Sequence, residues 1–357
     1  MKRKIIFVFV LAVVLIIAAC VAVFIFSKNK NEAEPNPSIS DYKKDEKKNL
    51  SWEEIIPGQP VWERRDAHST VVFKDKIWLF GGVTGPDTKN PVYEKMPHQS
   101  DLWSSDNGKD WQMITDKAKW GHRRAMSAVV FQDKIFTMGG WKNDYGETKN
   151  DVWASEDGVN WESITGEAQW PAREGHSVVV FKDKLWVVAG VDFLKRKTYN
   201  DVWYSEDGKE WKLATNNPLW DKRYDQTMEV FDNKLWVIGG IDFGNNVKKD
   251  VWYSEDGINW QMATDNPPWP ARHGHISLVF RDKLWIIGGW CEDLDKGLSD
   301  AWTTSDGINW QELKVKANWP GREDHCAVVF KDSIIMTGGM TDEKDKWSWK
   351  NDIWQLK

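Results

Sequence analysis

From residue 50 onward, short apolar runs alternate with short polar turns. Ser177 to Phe181 is one such run and Lys184 to Ala189 the next, with only Lys182-Asp183 between them. Runs of this length bounded by turn residues read as strands, and so short a connection makes the two a hairpin. The second run ends at a glycine pair in five places: Gly81-Gly82, Gly139-Gly140, Gly239-Gly240, Gly288-Gly289 and Gly338-Gly339. Ala189-Gly190 takes the same place once. A variable loop follows, then a third strand carrying Trp103, Trp153, Trp203, Trp252, Trp302 or Trp354. Asp-Gly pairs at 157–158, 207–208, 256–257 and 306–307, and Asn107-Gly108, are the residues a tight hairpin favours. A fourth strand opens at Trp111, Trp161, Trp211, Trp260 or Trp310.

This four-strand unit repeats. Its clearest marks are Arg65, Arg123, Arg173, Arg223, Arg272 and Arg322, spaced by 58, 50, 50, 49 and 50 residues. Six first, six second and six third strands are visible, but only five internal fourth strands. The missing one is expected at the front, where SWEEIIPGQPVW (Trp52 to Trp62) matches EWKLATNNPLW. The N-terminal strand is therefore expected to complete the last unit, which removes an open sheet edge.

A period near 50 with a glycine pair, a third-strand tryptophan and a fourth-strand tryptophan resembles the kelch family over residues 50–357. The resemblance implies an all-β fold, a six-bladed kelch-type β-propeller with its ring closed by the N-terminal strand. The segment Ser-Glu-Asp-Gly-x-x-Trp also looks like a sialidase Asp-box, but is one residue short and reads better as a hairpin.

Residues 1–49 do not carry the repeat. Lys2, Arg3 and Lys4 precede an apolar run from Ile5 to Phe26, whose 22 residues would reach about 33 Å as a helix, enough to span a bilayer. Residues 1–26 are expected to be an uncleaved signal-anchor with the positive end inside the cell. The alternative is a lipoprotein signal, because Ile17-Ala18-Ala19-Cys20 resembles a bacterial lipobox in which Cys20 is lipidated. Residues 27–49 are polar and aperiodic and read as a flexible tether. Either way the expected location is the cell membrane, single-pass or lipid-anchored, with the propeller extracytoplasmic.

Composition adds two points. Of 26 tryptophans, only Trp141, Trp290, Trp347 and Trp349 lie off repeat positions, so the others are expected to pack between units. The formal net charge of −6 offers no basic footprint for nucleic acid. Cys291 and Cys326 could pair in an oxidising compartment, or remain free.

By the resemblance, the six arginines, the residues after the glycine pairs and the starts of the third strands share one face, the one kelch proteins commonly use for ligands. A ring of Arg65, Arg123, Arg173, Arg223, Arg272 and Arg322 suits carboxylates. The competing reading pairs them with Asp101, Asp151, Asp201, Asp250, Asp300 and Asp352, one per unit, as structural ion pairs. Residues that break the repeat are the other candidates: Trp141 and Trp290, expected to face each other across the axis, and Asp192 and Asp242, followed by Phe193 and Phe243. The longest loop, Gly82 to Trp103, holds Pro86, Pro91, Tyr93, Pro97 and His98 and reads either as a lid or as a tolerated insertion. Trp347 and Trp349 offer a second contact. His68, His176, His275 and His325 share a repeat position, but Met126 and Gln226 fill it elsewhere, so no metal is expected.

No nucleophile–base constellation, phosphate loop or zinc spacing is present, and no cofactor is expected. The functional expectation is a membrane-tethered binding module for a protein or carbohydrate ligand. The alternative is a sugar-acid mutarotase or epimerase on the same face, with Glu174, Asp66 or Glu323 beside a repeat arginine. Copper-oxidase chemistry, known on kelch propellers, needs a Tyr/Cys/His centre that cannot be assembled.

Overall fold

Six four-stranded antiparallel sheets occur among the described residues of the computed structural model, which are 50–58, 61–89, 91, 95–142, 146–315, 318–342 and 346–357. The expected membrane segment, Cys20 and the tether lie outside them. Among the described residues no helix is long and apolar enough to cross a membrane.

Sheets 1 to 6 are numbered in chain order by their first strands, Ser69–Phe73, Ser127–Phe131, Ser177–Phe181, Thr227–Phe231, Ile276–Phe280 and Cys326–Phe330, and sheet 3 shows the plan. Its strands a to d are Ser177–Phe181, Lys184–Val188, Val202–Ser205 and Trp211–Thr215, paired in that order. The a–b turn places Lys182 and Asp183 at φ 49° and 56°, the left-handed pair that matches strand twist in a two-residue hairpin. All six sheets share this turn, with φ between 47° and 59°. In sheet 6, strands a to c are Cys326–Phe330, Ser333–Thr337 and Ile353–Leu356, and the fourth is Trp52–Ile55, in register Trp52↔Leu356 to Ile55↔Ile353. The strand expected from the chain's front is therefore the outer strand of the last sheet. No single sheet closes on itself; each is an open stack of four.

The sheets are joined through apolar cores, each shared by two consecutive sheets. Phe181, Trp186, Val188 and Trp220 pack with Met228, Val237 and Trp252 between sheets 3 and 4. Trp62, Ile77, Leu79 and Trp111 pack with Phe330, Ile335 and Ile353 between sheets 1 and 6. Tryptophans meet edge-on in these cores, as Trp120 does with Trp161 at 4.5 Å and Trp62 with Trp111 at 4.6 Å, the geometry that ring quadrupoles favour.

Backbone bonds run the same circuit. The second glycine of each pair donates its N–H to the repeat arginine's carbonyl in the next sheet: Gly82 to Arg123, Gly140 to Arg173, Gly190 to Arg223, Gly240 to Arg272 and Gly289 to Arg322. Gly339 of sheet 6 donates to Arg65 of sheet 1 at 2.9 Å. The second glycine has φ between 87° and 102°, and an added Cβ would lie 2.5 to 2.9 Å from a neighbouring carbonyl oxygen. Glycine here lets strand b bend and continue as a second, shorter ladder, a feature the repeat pattern did not suggest.

Candidate functional site

Beyond the glycine pairs, short antiparallel ladders and bridges rise from one end of the sheets. Trp141–Lys142 pairs with Glu147–Thr148 and with Arg123–Arg124; Val191–Asp192 pairs with Lys197–Thr198; Trp290–Cys291 pairs with Lys296–Gly297; Met340–Asp342 pairs with Trp347–Trp349 and Arg322–Glu323. Sheets 1 and 4 contribute the bridges Asp66↔Val83 and Tyr224↔Ile241. Together these make a collar on one face.

The repeat arginines lie beneath this collar and are locked. Arg173 is fully buried; its guanidinium donates to Asp201 Oδ1 and Oδ2 at 2.6 and 2.9 Å, to the Ala189 carbonyl at 2.6 Å and to the Pro171 carbonyl at 2.9 Å. Arg65, Arg123, Arg223, Arg272 and Arg322 make the same fork to Asp101, Asp151, Asp250, Asp300 and Asp352 and are 0–2% exposed. Each aspartate also accepts the indole N–H of the tryptophan two residues on. Burial opposes ionisation of Asp250, Asp300 and Asp352, yet the bonded guanidiniums hold these carboxyls below their ordinary value. The geometry is that of the structural ion pair.

The four repeat-breaking candidates are also engaged. Trp141 is 3% exposed and sits in its ladder opposite Arg124 and Thr148. Trp290 is buried and packs at a tilt against Trp347, ring centroids 4.6 Å apart and planes inclined by 46°. Asp192 is buried and bound by Lys195 at 2.8 Å. Asp242 accepts from the Gly244 N–H at 2.8 Å and from Asn246 and Lys248. The long loop of sheet 1 forms neither an open lid nor a loose insertion along its described part. Thr88 pairs with Trp347, and Val83 and Met96 pack with Met340 and Trp349 of sheet 6.

His68, His176, His275 and His325 are buried against the sheets, and burial holds the rings of His68, His176 and His325 neutral, with pKa lowered to about 3. Among the described residues no group of three or more His, Cys, Asp or Glu is arranged to hold a metal. Cys291 and Cys326 are free thiols; burial pushes the Cys326 thiol up to about 12, and it donates to the His68 carbonyl.

The collar's centre is set by the two residues after each arginine. The second of them, Ala67, Ala125, Gly175, Asp225, Gly274 or Asp324, has φ between 48° and 60° in every sheet. That conformation turns the peptide groups tangential, and five backbone bonds of 2.8–3.0 Å link the six residues: 125 to 67, 67 to 324, 324 to 274, 274 to 225 and 225 to 175. They rim an axial cavity of about 270 Å³ that extends down past Glu229 and Cys326. The first residue differs in every sheet except for its acids: Asp66, Arg124, Glu174, Tyr224, His273 and Glu323. Arg124 bonds Glu174 at 3.1 Å. Burial, with Asp324, Asp66 and other carboxylates nearby, raises Asp225 and Glu323 well above the usual range, and burial lifts Asp324 to about 6. The neck is an acidic site. Sequence reading weighed Asp66, Glu174 and Glu323 there but missed Arg124, Asp225 and Asp324. The available signal was the two positions after the repeat arginine, where the copies disagree in charge.

A pH effect follows. A carboxyl whose folded pKa exceeds its unfolded value lowers stability as pH rises between the two, here from about 4 to about 6 for Asp324. The Asp225→Asn/Asp324→Asn pair removes this loss, and asparagine tolerates positive φ. Thermal melts are expected to show the variant stabilised relative to wild type near pH ~7.5 and level with it near pH ~4. An equal shift at both values would remove the electrostatic explanation.

A family model, the KLHDC2/KLHL20/DRC7 Kelch-repeats domain, matches the chain over residues 23–212 and again over 159–339. The chain belongs to the kelch-repeat family. Among curated proteins none matches it. Kelch membership accounts for the four-stranded sheets, the glycine pairs and the arginine–aspartate forks as parts of a β-propeller scaffold. It leaves the collar as the place where this kelch chain differs from one repeat to the next.

Proposed function

We propose that the chain is a six-bladed kelch propeller whose N-terminal strand closes the ring, and that it is a binding module for a protein partner at the collar face. The contrast between the two faces carries this reading. Opposite the collar, one turn is repeated five times: Ser or Thr, then Asp or Asn, then Gly, with the same side-chain bonds to backbone N–H groups at Ser105, Ser155, Ser205, Ser254 and Thr304. A face that repeats itself holds little to distinguish one partner from another. The collar holds five residue types at the six positions after the arginines (Asp66, Arg124, Glu174, Tyr224, His273 and Glu323) and loops of different lengths, and loops on a rigid scaffold are where recognition residues sit. The circuit of glycine–arginine bonds and shared cores, from Gly82 to Gly339, supports a closed ring.

Charge favours a protein over a sugar acid. A carboxylate entering the neck meets Asp225, Glu323 and Asp324, and the six repeat arginines already serve aspartates. Residues 5–26 would hold the module at the cell membrane with the propeller outside, by their length and the positive charges before them.

The test is a photo-crosslinking residue in the full-length chain, in its own cells. Leu194 and Leu294 are exposed on the collar; Val159 and Ile258 are exposed on the opposite turns. Adducts of defined mass are expected from the collar positions alone. Equal labelling from both faces, or none from the collar, would overturn the assignment.

A further inference from the structure

We infer that the collar has an anion-selective cleft between sheets 3 and 4 that receives an acidic segment of a protein partner. The inference rests on the collar being the binding face. The cleft, about 350 Å³, lies between the turn at 193–196 and the loop at 242–246. Arg196, Lys197 and Lys222 line it, and none of the three has an ion-pair partner among the described residues.

Three features make this more than scattered surface charge. First, the carboxylates that could neutralise the cations are already committed. Asp242 accepts from Gly244 N–H, Asn246 and Lys248, and although burial opposes ionisation, these bonds hold its carboxyl below the ordinary value. Asp192 is buried beneath Lys195. Second, the wall is built. Phe193 packs on Phe243 with centroids 5.6 Å apart, and the Arg196 guanidinium lies over Phe243 at 4.7 Å. Stacking leaves a guanidinium's edge available for a bidentate carboxylate. Third, Leu194 and Leu219 are 62% and 76% exposed, Leu219 in the adjoining cavity that shares Lys222. Cations beside exposed leucines suit a peptide with both carboxylates and apolar side chains, and suit a sugar or free phosphate less well.

The sign is opposite to that of the whole chain, whose formal charge is −6. It is also opposite to that of the next turn along the collar, in sheet 5, where Glu292, Asp293 and Asp295 lie. A face polarised in this way orients an incoming partner and raises the rate of productive encounter.

The probe is a fluorescein-labelled octaglutamate peptide, titrated by anisotropy against the full-length chain in detergent, with octalysine and a Gly-Ser octapeptide alongside. Octaglutamate is expected to bind alone of the three and to weaken as salt rises. Arg196→Glu/Lys222→Glu is expected to weaken it at least ~10-fold, as the loss of two charge-assisted contacts implies. Lys109→Glu/Lys209→Glu, an equal charge change on the opposite turns, is expected to leave it unchanged; thermal melts confirm that both variants fold. Equal loss in both variants, no wild-type binding, or full displacement by millimolar inorganic phosphate would each overturn the inference. The Leu194 crosslink separates this from the collar assignment. Adducts that persist in Arg196→Glu/Lys222→Glu leave the collar as the binding face and reject the cleft as the docking point. Octaglutamate binding lost in that variant, with no collar adducts in cells, retains an anion-selective cleft and overturns the protein partner it is inferred to receive.

Discussion

Arg173→Ala is expected to destabilise the propeller by about 3–5 kcal/mol, the range for breaking a buried ion pair from one side. The substitution does more than remove a charge. It leaves the Asp201 carboxylate with the Trp203 indole as its remaining side-chain donor, and strips the carbonyls of Ala189 and Pro171 of their guanidinium partner. It also empties the space over the Tyr199 ring, where the guanidinium sits 4.2 Å from the centroid. Arg173→Lys keeps the charge but cannot fork, so an intermediate loss is expected. Urea unfolding of the full-length chain followed by tryptophan fluorescence measures both. A cost below about 1 kcal/mol would place this pair with surface salt bridges. If the alanine variant also kept its fold and lost its partner, the arginine would be a ligand residue after all.

Gly307→Ala is expected to cost about 2–4 kcal/mol, and Gly108→Ala only about 1 kcal/mol. Both glycines occupy the same place in the c–d turn and have φ of 75°, so the backbone penalty is shared. Their neighbours differ. An added Cβ at Gly307 would sit 2.1 Å from the Trp236 ring, whereas at Gly108 the nearest atom is Ile335 Cδ1 at 3.5 Å. Trp236 is buried between sheets 4 and 5, so it cannot swing aside without opening that core. Equal losses at the two positions would assign the whole cost to φ and none to the inter-sheet contact.

Much of the scaffold was readable along the chain because its determinants are local or repeat at fixed spacing. The a–b hairpins needed only two apolar runs and a two-residue turn. The arginine–aspartate forks could be anticipated because both partners recur once per unit, in register. Trp52 to Ile55 could be assigned to the last sheet because its sequence matches the other outer strands. The functional face was less legible. Trp141 and Trp290 stood out for breaking the pattern, yet they are buried, one against its ladder and the other against Trp347. Asp192 and Asp242 also broke the pattern, but lysine partners a few residues away hold them. Arg196 and Lys222 are 26 positions apart and gave no common signal; they meet because a loop of one sheet leans on the next.

By itself, the order of residues determined the four-strand unit, its six repetitions and the kelch resemblance, since strand period, turn chemistry and tryptophan spacing act over a few residues. Tertiary structure alone decided which polar groups remain available. Burial and competing partners removed the repeated arginines and the conspicuous tryptophans from contact. Left-handed backbone at Asp225 and Asp324 turned two carboxylates into a shared neck. A charge is free or spent according to neighbours from other sheets, and those neighbours are set by the packing of whole sheets.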